Sequence, residues 1–111
     1  MSRPIASRAA LFLFRALIER SGAPKNRIFL TNCQSVDWQS LTFIGERHEL
    51  ELRIVGEDAE EIAARITDGL AEAEFSLPGL MLADIALAGR AIERRDGTVQ
   101  LDIEALTLES T

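Results

Sequence analysis

The sequence is poor in the residue types that most often perform chemistry. It has one histidine, one cysteine, one tryptophan and no tyrosine. A zinc site of the usual kind is built from several cysteine and histidine ligands, so this composition excludes one within a single chain. The lone Cys33 has no partner for an internal disulfide bond, and the cytoplasm is therefore the expected compartment.

Only one nucleophile arrangement is open to these residues, a thiolate of Cys33 activated by His48. His48 is in phase with Leu50 and Leu52 in an alternating stretch, so we expect a half-buried strand residue that forms local hydrogen bonds. Cys33 is expected to pack as a small hydrophobic residue. The carboxylates at 57–61 crowd a helix start, where capping and the helix dipole explain them without a metal ion. We therefore expect no catalytic residue, no metal and no cofactor, and hence not an enzyme.

Length and charge bound the class of protein. A chain of 111 residues has the usual size of one domain, and a globule of that size buries roughly 65% of its unfolded surface. The net charge of -6 argues against nucleic acid as the main partner, because phosphate binding needs an excess of Lys and Arg.

The charge is also divided unevenly along the chain. Residues 1–27 carry a surplus of positive charge, and the remainder is strongly acidic. Opposite potentials of this kind can hold one element against another or one copy of the protein against the next. A solvated basic helix without a partner is the simpler alternative.

The first segment, "MSRPIASRAALFLFRALIERSG", predicts a helix over residues 4–20. Pro4 suits the first turn of a helix, and Ser21-Gly22 before Pro24 supplies a stop. Arg15 interrupts the apolar run, which is far shorter than the roughly 20 residues of a membrane span. We expect neither a signal peptide nor a membrane anchor here.

Four strands and a second helix follow along the chain. Alternation of apolar and polar residues predicts strands at about 27–33, 46–55, 80–89 and 98–107. Asp58 and Glu61 predict the start of a helix over 58–74, within which Gly69 weakens the helix without ending it. Asp96-Gly97 is a strong hairpin turn signal. The stretch from Ser35 to Gly45 fits either a long hairpin arm or a loop.

This order, α-β-β-α-β-β, predicts a single α+β domain built as a two-layer sandwich. A four-stranded sheet is expected to carry both helices on one of its faces. The first helix has apolar residues over more than one stripe, whereas a helix that lies on a sheet needs only about 100° of its circumference apolar. A covering loop or a neighbouring subunit would account for the excess.

Six residues are candidates for a protein interface. Arg8, Phe12 and Arg15 lie on the basic and over-apolar first helix, and Arg94 and Arg95 lie at the hairpin corner before Asp96. The sixth is Trp38. A solvated turn is the simpler reading of the arginine pair, and a core or lid position is the simpler reading of the tryptophan.

The order of these segments resembles the tail-completion, or tail-terminator-like, proteins of long-tailed phages and of phage-derived gene transfer agents. The resemblance covers roughly residues 28–109, through "SVDWQS", "GERHELELRIVG", "EDAEEIAARITDGLAEA", "LPGLMLADIALAG" and "RAIERRDGTVQLDIEALTLES". It implies no catalytic residues. It implies a ring, commonly of six copies, that caps the tail tube and joins it to the head connector.

An alternative from a different class is a small ligand-binding or regulatory α+β domain. It would use a pocket on the sheet face near Trp38 and His48. A concave apolar pocket with converging polar groups would favour this alternative.

Overall fold

The computed structural model describes residues 6–110 and confirms the α+β class. The chain forms two α-helices and a five-stranded antiparallel sheet. In chain order the elements are α1 (Arg8–Ser21), β1 (Ile28–Gln39), β2 (Ile44–Ile54), α2 (Ala59–Thr67), β3 (Leu80–Leu87), β4 (Ile92–Glu93) and β5 (Val99–Glu109). Short 3-10 turns follow each helix, at Lys25–Arg27 and Leu70–Glu72.

The last strand of the chain lies inside the sheet. The four long strands follow the order β1-β2-β5-β3, and every neighbouring pair is antiparallel. The expected count of four strands was too low, because the chain bends after Leu87 and then adds β4 to the start of β5. The Asp96-Gly97 turn therefore joins β5 to the short β4, and not to β3 directly.

Helix α1 begins later than its sequence suggested. Ser7 is its N-cap, and the Ser7 hydroxyl accepts a hydrogen bond of 3.1 Å from the Ala10 amide. A serine cap satisfies one of the free amides of the first turn, so α1 begins directly after Ser7. Pro4 itself lies outside the described residues. The helix ends at Ser21, and Gly22 adopts the left-handed conformation that commonly follows a helix.

Helix α2 is half as long as predicted, and Gly69 is the reason. The α-helix stops at Thr67, whereas the sequence pattern predicted continuation to residue 74. Gly69 has a φ of 65°, in the left-handed region that glycine adopts without steric cost. The expectation that Gly69 would not end the helix was wrong. Asp58 is the N-cap, but its carboxylate pairs with Arg27 and does not cap a backbone amide.

The undecided stretch between residues 35 and 45 is a hairpin arm. Strand β1 runs on to Gln39, six residues past its predicted end, and pairs with β2 through Trp38↔Gly45 and Gln39↔Ile44. A bulge at Thr31 changes the side-chain alternation of β1 between Leu30 and Asn32. The ends of the other strands differ from their predicted bounds by a few residues.

Both helices pack on the same face of the sheet. A single cluster of buried residues joins α1 and α2 to the inward side chains of β2 and β5. These side chains are Leu50, Leu52, Ile54, Val99, Leu101 and Ile103. Arginines add polar contacts between the two helices, since Arg20 of α1 donates to the Ile66 carbonyl at 2.9 Å and Arg65 of α2 donates to the Ser21 carbonyl at 2.7 Å. The other face of the sheet carries no helix among the described residues.

Gly45 is required for the close packing of the hairpin on β5. A Cβ at this position would overlap the main-chain oxygen of Thr107 and crowd the Leu108 side chain. We predict that Gly45→Ala lowers the free energy of unfolding by at least about 2 kcal/mol. Gly79→Ala is the matched control, since a Cβ at Gly79 meets nothing and only its positive φ costs about 1 kcal/mol. Urea denaturation measures which variant loses more unfolding free energy. A loss for Gly45→Ala that is equal to or smaller than the loss for Gly79→Ala would contradict this role of Gly45.

Candidate functional site

The face of the sheet without helices, here called the open face, is ordered in rows that run across the strands. At the end nearest the β1–β2 turn, the first row is apolar and the second is half apolar and half charged. Residues opposite one another in the strand register form these rows. The first row is Trp38, Gly45, Leu108 and Met81, and the second row is Val36, Arg47, Leu106 and Asp84. Leu106 and Leu108 are buried at 8% and 6% exposure, whereas Met81 is 46% exposed. This end of the open face is therefore an apolar surface with a few charges.

The middle of the open face is acidic. The third row contains Gln34, Glu49 and Glu104, and the fourth contains Asn32, Glu51 and Asp102. Glu49 is thus directly opposite Glu104, and Glu51 is opposite Asp102. Like charges in such cross-strand positions repel each other. These six side chains line a shallow hollow of about 250 Å³.

The four carboxylates have no cationic partner within the described part of the chain. The salt bridge found among residues 6–110 joins Arg27 to Asp58, on the helical side. Glu51 accepts hydrogen bonds from Thr31 at 2.6 Å and from Gln100 at 3.3 Å, both neutral donors. The acidic rows, which the sequence reading did not single out, are therefore repulsive in the isolated chain.

The outward side of α1 has the opposite character. Arg8, Leu11 and Arg15 are exposed along it, at helical spacing. The Arg8 guanidinium lies over the Phe12 ring, with 5.3 Å from its central carbon to the ring centroid. Such a contact holds the cation against the helix surface. Arg20 and Arg27, by contrast, are used inside the molecule to bind α2 and the segment before it.

The six predicted interface residues do not form one site. Arg8 and Phe12 are in contact, and Arg15 is two turns from Arg8 on the same helix. Trp38 lies on the open face, half-buried, which places it on the other side of the sheet from α1. The remaining two, Arg94 and Arg95, are exposed near the start of β5, at the far end of the sheet.

The tip of the β1–β2 hairpin is an apolar surface that the sequence reading missed. Residues 39–44 lie beyond Gly45↔Leu108, the last pair that joins β2 to β5. Leu41, Phe43 and Ile44 are exposed there, and Leu41 is fully so. The Ser40 hydroxyl holds the turn by accepting from the Phe43 amide at 3.0 Å. The apolar letters of "SLTFI" were a signal, but one that a buried turn would also give.

A cavity lies where α1, the hairpin and β3 meet. It has a volume of about 590 Å³, within the range of small-molecule sites. Its walls are partly apolar, from Phe12, Ile44, Pro78 and Leu80, and partly charged, from Arg8, Asp37, Glu46 and Glu109. The expected pocket near both Trp38 and His48 does not form, because these two residues lie on opposite faces of the sheet.

His48 belongs to a partly buried network of hydroxyls on the helical side. Its Nδ1 lies 2.7 Å from the Ser35 hydroxyl, and its Nε2 lies 2.8 Å from the Thr107 hydroxyl. Ser7, the cap of α1, donates to Ser35 at 3.5 Å and extends the network to the helix. His48 is fully buried, more deeply than the half-buried position expected.

The network joins the N-terminus of α1 to β1, β2 and β5. A catalytic imidazole is oriented by a third group and must reach the substrate, whereas both ring nitrogens of His48 are engaged by hydroxyls, those of the partly buried Ser35 and the buried Thr107. Burial raises the pKa of the Cys33 thiol, which disfavours the nucleophilic thiolate. Within residues 6–110 no group of three or more His, Cys, Asp or Glu side chains could hold a metal ion. None of the helices described there is long and apolar enough to cross a membrane.

Burial lowers the pKa of His48, although the nearby Glu46 charge opposes the shift. In the unfolded chain the imidazole of His48 has its ordinary pKa, near 6.5. In the folded protein the imidazole binds a proton only at lower pH. Because the unfolded state then holds more protons, stability falls as the pH drops below about 6.5. The slope for one proton is at most about 1.4 kcal/mol per pH unit.

We predict that an NMR titration of His48, the only histidine, gives a pKa below 6.5. His48→Gln, which can still bind both hydroxyls, should flatten the dependence of the unfolding free energy on pH between about 7 and about 5.5. A pKa at or above 6.5, or an unchanged slope in the variant, would show that the imidazole is not buried as described.

Comparison with protein-family models, with curated proteins and with solved structures finds no match to this chain.

Proposed function

We propose that the chain is a non-enzymatic assembly protein of a phage-like particle. Copies of it associate into a ring, commonly of six, that completes the tail and connects the tail tube to the head connector. Its partners are then other copies of itself, tail-tube protein and connector protein, and it assembles in the cytoplasm. The starting point is the resemblance of the segment order in this sequence to that of the tail-completion family.

The exposed apolar hairpin tip is the observation that carries this proposal. Leu41, Phe43 and Ile44 extend past the end of β5 and have no covering element among the described residues. Contiguous apolar groups on a protein surface usually mark a contact with another molecule. A hairpin that reaches past its own sheet is suited to insert into a neighbouring subunit or into the end of a tube.

Two further observations support assembly over catalysis or nucleic-acid binding. The one imidazole of the chain is fully buried and engaged by hydroxyls, which leaves it unable to serve an external substrate. The open face presents carboxylates without cationic partners among the described residues, and these repel the phosphates of nucleic acid. No role in a membrane is proposed.

Self-association is the first test. We predict a mass several-fold above the 12.2 kDa of one chain in sedimentation velocity, either alone at high concentration or on addition of tail-tube protein. The variant Leu41→Ser/Phe43→Ser should weaken this association at least about tenfold, since each buried apolar side chain contributes about 1.5–3 kcal/mol. Ile92→Ser, which removes an exposed apolar group at the far end of the sheet, is the control.

A protein that stays monomeric at every concentration, and that tail-tube protein does not change, would contradict the proposal. If the wild type and the tip variant associate equally strongly, the hairpin tip is not part of the contact. Circular dichroism of each variant establishes that the fold is retained.

A second candidate is a small ligand-binding domain, which the 590 Å³ cavity favours. Its walls combine apolar side chains with charges of both signs, as ligand sites do. In a screen of small metabolites by NMR, a ligand should shift resonances of cavity residues such as Phe12, Ile44 and Leu80 and raise the melting temperature. Scattered weak shifts, or none, would exclude this candidate.

A further inference from the structure

We propose that the open face of one copy binds the outward side of α1 of a second copy. The inference rests on the proposed self-association and names the two surfaces that meet. It joins different surfaces of two copies, so repetition of the contact can close a ring.

Charge is the first argument for this contact. The open face holds five carboxylates, Glu49, Glu51, Asp84, Asp102 and Glu104, against Arg47, Arg53 and, at its far end, Arg94, which donates to Gln100 at 2.8 Å. In the isolated chain, Glu49 faces Glu104 and Glu51 faces Asp102, without a cationic partner among residues 6–110. Cations brought by a second molecule would relieve this repulsion.

The outward side of α1 supplies those cations from a rigid support. Arg8 and Arg15 are exposed there and take part in no salt bridge within the described residues. The other helical arginine, Arg20, donates to carbonyls of the α2 segment and is not free to serve a partner. Arginine is suited to such a contact because its planar guanidinium can bind two carboxylate oxygens at once.

The spacing between apolar and charged residues is also similar on the two surfaces. Leu11 and Arg15 are one helical turn apart, about 6 Å along the axis. On the sheet, Leu106 and Glu104 are two residues apart, about 7 Å along β5. A helix laid along the strand can therefore place Leu11 on the apolar rows and Arg15 over the acidic hollow. Glu19, the exposed acidic residue of α1, then lies one turn beyond Arg15, over the row of Glu51 and Asp102 and one row short of Arg53.

The contact also gives a partner to apolar groups that neither surface can bury alone. Leu11 is 40% exposed on α1, and Val36 and Met81 are exposed on the open face. The sheet already carries helices on one side, so a helix from a neighbour would cover its second side.

Charge reversal tests the inference. Arg15→Glu and Glu104→Arg should each weaken self-association at least about tenfold, because each places like charges together across the contact. Arg90→Glu and Glu74→Arg are matched controls, which make the same changes in net charge at exposed loop positions. All four variants change exposed residues, and circular dichroism checks that they fold. Dissociation constants from sedimentation, with tail-tube protein present if the wild type needs it, give the readout.

Mixing the two interface variants gives the sharpest result. In the mixture, the glutamate introduced by Arg15→Glu in one copy can meet the arginine introduced by Glu104→Arg in the other. The unchanged Arg15 and Glu104 can also meet, so association should recover to within about threefold of the wild type. The double variant Arg15→Glu/Glu104→Arg should recover in the same way. Higher salt should weaken the wild-type contact.

The outcomes separate this inference from the proposed function. If the wild type associates and the tip variant weakens it, but the charge reversals act no more strongly than their controls, the inference is wrong and the proposed function stands. Reversals that weaken association without recovery in the mixture also overturn it, because the two residues then do not face each other. A wild type that never associates overturns both.

Discussion

The pairing of β5 between β2 and β3 is the interaction on which the rest of the structure depends. β5 is the last strand in the chain, yet it lies inside the sheet and forms hydrogen bonds with both neighbours. Its inward residues, Val99, Leu101 and Ile103, complete the core beneath the helices. Because an antiparallel register sends alternate residues to opposite faces, the same pairing also fixes the open face.

The two faces of the sheet differ in whether their side chains find partners within the chain. On the helical side, apolar side chains fill the core, and the only imidazole of the chain has hydroxyl partners at both nitrogens. On the open face, apolar rows stand beside four carboxylates that lack cations among the described residues. A second molecule can supply the cations that these carboxylates lack, and this supports the assembly role proposed from the exposed hairpin tip.

The sequence was sufficient to predict the class of fold and most strands. Strict alternation around Leu50 and Leu101 has only one regular explanation, and the Asp96-Gly97 turn was equally clear. The length of α2 could not be predicted, because a glycine inside an apolar stripe either continues the helix or takes a positive φ, and tertiary packing decides. β4 was too short to have a pattern of its own.

The candidate surfaces were less predictable than the fold. Arg8 and Arg15 were found from the positive charge and the excess apolar residues of one helix, which are local properties of the sequence. The acidic rows join residues that are distant in the chain, and their register follows from the pairing of β2 with β5. Trp38 and His48 lay on opposite faces for a similar reason, since the bulge in β1 changes which residues point inward.

A structure of the assembled form, by cryo-electron microscopy or crystallography, tests the central claim most directly. The account predicts that α1 of one copy covers the open face of the next, with Arg15 within hydrogen-bonding distance of the carboxylates of Glu49, Glu51, Asp102 or Glu104. An assembly in which the open face remains in contact with solvent on every copy would contradict it.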